Sequence, residues 1–161
     1  MARVFISIGS NIDPETNIPD CLRILEARFG ELILSPVYES EPVGFEGENF
    51  YNMVAGFDTE LAPEALVDYL HAVEGGFDRS RNTGRFSSRT LDLDLLLYDD
   101  LIRKQDKVSL PREEIMKYAF VLCPLADIVG SYTHPVTGRR YSDLWREFDK
   151  EGVTLRRVNI F

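Results

Sequence analysis

Residues 79–95 bring together two groups of side chains that phosphate chemistry uses. Arg79, Arg81, Arg85 and Arg89 fall in one stretch that contains no acidic residue, although the protein is acidic as a whole. Guanidinium groups grip phosphate oxygens bidentately, so a loop of this kind suits a polyphosphate. Leu91-Asp92-Leu93-Asp94-Leu95 follows at once. In a strand the side chains alternate, which places Asp92 and Asp94 on one face and the three leucines on the other. The two carboxylates then stand about 7 Å apart along the strand. No counter-charge is expected beside them, so they repel each other unless arginine or magnesium joins them. Mg²⁺ commonly takes one or two carboxylates together with substrate phosphates and water. Each group alone has a plain structural explanation: the Asp pair as the wet side of a half-buried sheet, the arginines as a solvated loop. Their adjacency points to polyphosphate binding.

A second constellation lies upstream. Phe50 and Asn52 share one face of a strand by the same alternation, and an aromatic face beside an amide suits a flat heterocycle. The remaining chemistry-bearing residues are sparse. His71 falls on the surface of a helix, and His134-Pro135 with Gly138 reads as a turn; neither stands with a Cys or Ser in a nucleophilic arrangement. Cys21 and Cys123 are far apart with no C-x-x-C spacing, so they read as buried, reduced thiols of a cytoplasmic protein. Trp145 is expected to pack a C-terminal helix.

The elements that must position these residues follow from periodicity and turn residues. Residues 3–8 form a strand stopped by Gly9-Ser10-Asn11, and residues 18–29 a helix capped by Asn17, with Pro19 in its first turn and Gly30 at its end. Residues 32–39 read as a strand with Pro36 marking an edge or bulge, and residues 39–49 as a loop. Residues 50–58 make a third strand. Leu66, Tyr69, Leu70, Val73 and Phe77 line one face of a helix over 63–77. Residues 78–88 are a loop and 91–98 a fourth strand. This β-α-β-β-α-β order is the ferredoxin-like α+β motif, an antiparallel sheet with two helices on one face. A C-terminal extension follows: a loop over 99–110, helices near 112–117 and from Ser142 to Phe148, a segment over 120–128, and a last strand within 153–160. The 161 residues are the length of one domain, 1–161. The net charge of −9 argues against a nucleic-acid or anionic-membrane partner, and the N-terminus carries no signal-peptide pattern.

With these residues in place, the chain resembles the 6-hydroxymethyl-7,8-dihydropterin pyrophosphokinase family. The matching pieces occur in order: Gly9-Ser10-Asn11, Pro42-Val43-Gly44, Phe50-Tyr51-Asn52, Glu74, Arg79-x-Arg81, then Arg85-Phe86-Ser87-Ser88-Arg89-Thr90-Leu91-Asp92-Leu93-Asp94-Leu95-Leu96. Leu110-Pro111 and Phe120-Val121-Leu122-x-Pro124-Leu125 complete the set. The arginine-aromatic run leading into D-x-D is the most specific of them.

The resemblance implies transfer of pyrophosphate from ATP to the hydroxymethyl group of the pterin, releasing AMP, in folate biosynthesis. It implies that Asp92 and Asp94 hold two Mg²⁺ ions and that Arg79 and Arg89 hold the phosphates, these four forming the catalytic set. Arg81, Arg85 and Phe86 would belong to a loop closing over the nucleotide, with Glu74, Leu95 and Arg112 nearby. Phe50 and Phe120 would sandwich the pterin, Asn52 would read its polar edge, and Ser40, Pro42 and Val43 would complete the pocket. ATP and the dihydropterin would be the partners of a cytoplasmic monomer. The chain departs from the family pattern at Ser87-Ser88, where Gly-Pro or similar is usual, at Arg112 in place of His, and at Tyr118 in place of Arg. All three fall on the ATP side, which leaves open a catalytically weakened or non-catalytic paralogue that binds a pterin-like molecule.

Overall fold

The computed structural model describes residues 1–42, 47–77 and 90–161. Strand β1 (Ala2–Ser10) runs through the middle of the sheet, antiparallel to β4 (Phe50–Thr59) on one side and β5 (Asp92–Tyr98) on the other. Beyond β4 lie β2 (Ile33–Leu34) and β3 (Val37–Ser40), and β8 (Arg156–Val158) pairs with the outer edge of β3. The order β5-β1-β4-β3 with antiparallel neighbours is that of the split βαβ motif. The segment 32–39, expected as one strand, is two. Pro36 has no N–H for the ladder, and the break is bridged by Ser35, whose hydroxyl accepts the Val54 N–H at 2.8 Å while its own N–H reaches Val54 O at 3.0 Å.

Helix α1 (Pro14–Phe29) begins a turn earlier than the spacing predicts. Proline at the first helical position is pre-organised for a start there. Asp13, left-handed at φ 43°, offers its carbonyl to the N–H groups of Thr16 and Asn17. Asn17 does not cap; its amide donates to Ile12 O at 2.6 Å. Helix α2 (Pro63–Phe77) has the expected bounds.

Both faces of the sheet are buried, which is the main departure from the expected two-helix layer. Val4, Ile6, Ile8, Met53, Ala55, Phe57, Leu93 and Leu95 pack under α1 and α2 through Ile18, Cys21, Leu25, Leu66 and Leu70. The opposite face, carrying Phe5, Val54, Leu96 and Leu97, is covered by the C-terminal third. That third comprises α3 (Glu114–Lys117), α4 (Ala119–Val129) and α5 (Tyr141–Glu147). A bulge where β5 passes Phe5 and Ile6 lets three consecutive leucines, 95 to 97, all be buried. The expected 99–110 loop contains a small hairpin of β6 (Arg103–Lys104) and β7 (Ser109–Leu110). Helix α5 starts at Tyr141 rather than being capped by Ser142: Arg140 O accepts the Leu144 N–H at 3.0 Å, so Ser142 already lies inside the first turn. Cys21 and Cys123 are both buried and free, and Trp145 packs in the second cluster as expected. His134 is buried and organises its turn: Nδ1 accepts the N–H groups of Val136 and Thr137, both at 3.2 Å. Among the described residues no helix is long and apolar enough to cross a membrane.

Candidate active site

Alternation along three strands assembles the site on the face that the C-terminal helices cover. On β1 the residues between Val4, Ile6 and Ile8 are Phe5, Ser7 and Gly9; on β4 they are Phe50, Asn52 and Val54; on β5 they are Asp92 and Asp94. The register then aligns them in rows. Gly9 lies opposite Asn52 on one side and Asp92 on the other, while Ser7 lies between Val54 and Asp94. Two strand spacings, about 10 Å, therefore separate the heterocycle-reading amide from the first carboxylate on one face.

Gly9 is small for a reason. A Cβ there would sit 2.8 Å from Asn52 Oδ1, so the amide lies across the backbone of β1 at the point where a side chain would otherwise stand. Asn52 is buried, and its Nδ2 donates to the Ser40 hydroxyl at 3.2 Å. Ser40 in turn pairs with Phe50 across the β3–β4 ladder. Ser40, Pro42 and Phe120 line one cavity of about 490 Å³ with Tyr118 and residues 148–149 and 151–155. Phe120 lies in the first turn of α4, its ring stacked on Tyr118 at 5.0 Å. Four of the predicted pterin residues, Ser40, Pro42, Asn52 and Phe120, thus lie around one corner of the sheet, with Phe50 beside them in the ladder. Val43 lies outside the described residues.

The carboxylate pair is not without a counter-charge, contrary to the expectation from alternation alone. Arg112 reaches from the turn after Leu110-Pro111 and places its guanidinium 3.4 Å from Asp94 Oδ1, with Nε donating to Glu114 at 2.7 Å. Its own N–H is fixed on Leu96 O at 3.0 Å, so β5 itself sets the position. Burial works against the guanidinium charge, but Asp94 and Glu114 outweigh it and hold the pKa above the ordinary arginine value. Asp92 remains exposed, and Asp94 and Arg112 are each about one-third exposed, so the group opens to solvent on one side.

Glu74 approaches from α2 at the free edge of β5, where its carboxylate accepts the Leu93 N–H at 2.5 Å. Burial first, then the charges of Asp92 and Asp94, push its pKa up to about 8, against the pull of the Leu93 bond. Leu95 is 4% exposed and packs under the helices, so only its main chain is free to take part in a site on the other face. Arg79, Arg81, Arg85, Phe86 and Arg89, with Ser87 and Ser88, lie outside the described residues.

The contributions of Gly9 and Tyr38 are not anticipated from residue type and spacing. Tyr38 lies opposite Asn52 in the β3–β4 ladder and donates its hydroxyl to Asp127 of α4. Gly9 has a legible signal, a glycine ending a strand of branched residues. Tyr38 has none, because its partner is far along the chain.

Comparisons with known proteins bear on the family and the fold. Residues 5–130 match the family model described as 7,8-dihydro-6-hydroxymethylpterin-pyrophosphokinase (HPPK). The 2-amino-4-hydroxy-6-hydroxymethyldihydropteridine pyrophosphokinase of Pseudomonas aeruginosa is 36% identical over 157 residues, covering 94% of each chain. That of Bacillus subtilis is 31% identical over 155 residues, covering 94% of this chain and 88% of its own. Among solved structures, the wild-type HPPK-DHPS of Plasmodium falciparum with STZ-DHP superimposes with a TM-score of 0.70 at 13% identity, covering 94% of this chain. An HPPK-DHPS in complex with substrates superimposes at 0.72 and 12% identity over 93% of this chain. This chain spans 44% of each of those two longer chains, and at such identities the likeness concerns the fold alone.

Proposed function

Since the chain belongs to the 7,8-dihydro-6-hydroxymethylpterin-pyrophosphokinase family, we propose that it transfers the β,γ-pyrophosphoryl group of ATP to the hydroxymethyl oxygen of 6-hydroxymethyl-7,8-dihydropterin in folate biosynthesis. The hydroxyl oxygen attacks the β-phosphorus, the bond from that phosphorus to the oxygen retained by AMP breaks, and the hydroxyl proton is released. The observation that supports this most directly is the row Asn52, Gly9, Asp92 on one sheet face, which sets a heterocycle-reading amide within reach of a phosphate-side carboxylate. Transfer of this kind needs positioning and charge neutralisation more than covalent help.

The donor chemistry fits magnesium. Asp92 and Asp94 offer hard oxygen donors from an open strand face, and the ion takes the rest of its shell from phosphates and water. When bound there as a pair of ions, Mg²⁺ would neutralise charge spread over the phosphate oxygens. The chain's own residues do the rest. Arg112 holds Asp94 in place and supplies a permanent cation where the family pattern has His. Glu74 fixes the edge of β5 through Leu93, and so the pitch of Asp92. Asn52, held by Ser40, presents its amide to the pterin edge, with Phe50 and Phe120 providing flat apolar faces. Pro42 completes that wall, Val43 is assigned to the pterin and Arg79, Arg81, Arg85, Phe86 and Arg89 to the triphosphate, with Leu95 contributing through its main chain. The protein acts as a cytoplasmic monomer, a single domain over 1–161, without nucleic-acid or membrane partners.

The experiment is AMP release from ATP and Mg²⁺, with and without the dihydropterin, for wild type and Asp92→Asn. Wild type is expected to release AMP only with pterin, and the variant to lose at least about a hundredfold, as when one electrostatic group at a reacting centre is removed. A folded wild type that releases no AMP at saturating ATP would overturn the function. A variant of near-wild-type rate would overturn the metal assignment alone.

A further inference from the structure

The family model ends at residue 130, yet the chain beyond it reaches the pterin corner from two sides. Strand β8 pairs with β3 in the register Val37 to Val158, Tyr38 to Arg157 and Glu39 to Arg156, directly before Ser40. The last two of these rungs carry side-chain ties as well. Arg157 Nε donates to the Tyr38 hydroxyl at 3.4 Å and stands 4.0 Å from Asp127, the carboxylate that Tyr38 also bonds. Arg156 is ion-paired with Glu39. One residue past Ser40, the Glu41 N–H points to Thr154 Oγ1 at 3.4 Å. Glu39 does not stop at Arg156: its other oxygen accepts from Asn49 Nδ2 at 3.2 Å, and Asn49 immediately precedes Phe50. The segment 151–155 also closes the cavity whose opposite wall is Ser40, Pro42 and Phe120.

We propose that residues 154–158 are a positioning element of the pterin subsite. Arg156, through Glu39, sets both Ser40 and the Asn49-Phe50 turn, while Thr154 sets Glu41 ahead of Pro42. This rests on the pterin reading above. The element acts through Glu39, Ser40, Glu41 and Asn49. It fixes the spacing between the strand that carries Ser40 and the strand that carries Phe50 and Asn52, so its loss acts on pterin and spares ATP, whose carboxylates lie two strands away from β4 on β5.

The test is steady-state kinetics and pterin titration of the full chain for Arg156→Glu, the charge-swapped double E39R/R156E, and Thr154→Val with Thr154→Ser. Arg156→Glu puts like charges on one rung, a cost of the order seen for cross-strand pairs. It is expected to raise the pterin KM and dissociation constant roughly three- to tenfold with the ATP KM unchanged, and the swapped double, which restores the ion pair but not the acceptor for Asn49, is expected to recover part of it. Thr154→Val is expected to follow in the same direction, and Thr154→Ser, which keeps the hydroxyl, to match wild type. A wild type without pterin-dependent AMP release would defeat the functional reading itself. An active wild type whose variants lower the melting temperature yet leave the pterin KM unchanged, or raise both KM values equally, would show these residues to be merely structural.

Discussion

The tight space above Gly9 makes a sharp prediction for Gly9→Ala. The added methyl would stand 2.8 Å from Asn52 Oδ1, against roughly 3.3 Å or more for an unstrained carbon–oxygen contact, so something must move by about half an ångström. The other near atoms, Asn52 Cγ and Tyr51 O, are already at 3.9 Å and set no limit, and no atom of Asp92 is among them. The amide is the part that yields. Turning it away breaks the 3.2 Å bond to Ser40 in a buried setting, which costs about 1–3 kcal/mol where a polar group is left unpaired. Expressed in ligand binding, that is about a 5- to 150-fold loss of pterin affinity. The assay is pterin titration by calorimetry beside pterin-dependent AMP release, with the ATP KM as internal control and little changed. In an Asn52→Ala background the methyl has nothing to displace, so the two losses should be strongly non-additive. Wild-type pterin affinity in Gly9→Ala, or simple additivity with Asn52→Ala, would refute the reasoning.

Three further outcomes follow from other contacts. Arg112→Gln leaves Asp94 and Glu114 without their shared cation; it should raise the ATP KM about tenfold while costing no more than about 1 kcal/mol of stability, since the pairs are one-third exposed. An unchanged ATP KM would remove Arg112 from the nucleotide side. Burial holds the His134 pKa below its ordinary value of 6.5, so the unfolded chain binds more protons than the native one as pH falls past that value. Stability from this group is therefore present above pH 6.5 and drains away below it; melting curves at about pH 7.5 and 5.0 should show a smaller acid loss in His134→Asn than in wild type. The Tyr141 hydroxyl is buried without a hydrogen-bond partner among the described residues, so Tyr141→Phe should melt at or above the wild-type temperature; a clear drop would reveal a partner.

Local chemistry along the chain determines much of this molecule. The period-two run from Leu91, the helical stripe from Leu66 to Phe77 and the turn residues around Gly9 and Gly30 each impose their element, because burial of one face leaves a strand or helix little choice of phase. The same alternation puts Asp92 with Asp94, and Phe50 with Asn52. Pro14 and Pro36 are equally legible in principle, one starting α1 and the other breaking β2 from β3. Alternation along β5 leads to the expectation of one covered face; the run Leu95-Leu96-Leu97, all buried, is accommodated by a bulge and by the C-terminal helices on the second face.

Contacts distant in the chain are decided by the tertiary structure alone. Alternation says which face a side chain takes but not which strand lies opposite, so the alignment of Gly9 between Asn52 and Asp92 depends on the register. Arg112 becomes the partner of Asp94 only once the turn after Leu110 is hung on Leu96 O. The hold of β8 on β3 joins residues separated by well over a hundred positions, from Glu39 to Arg156, and no local preference encodes such a pair. Periodicity is a property of neighbours along the chain. Register, counter-charge and close approach are properties of neighbours in space, and at this site those are what set the geometry.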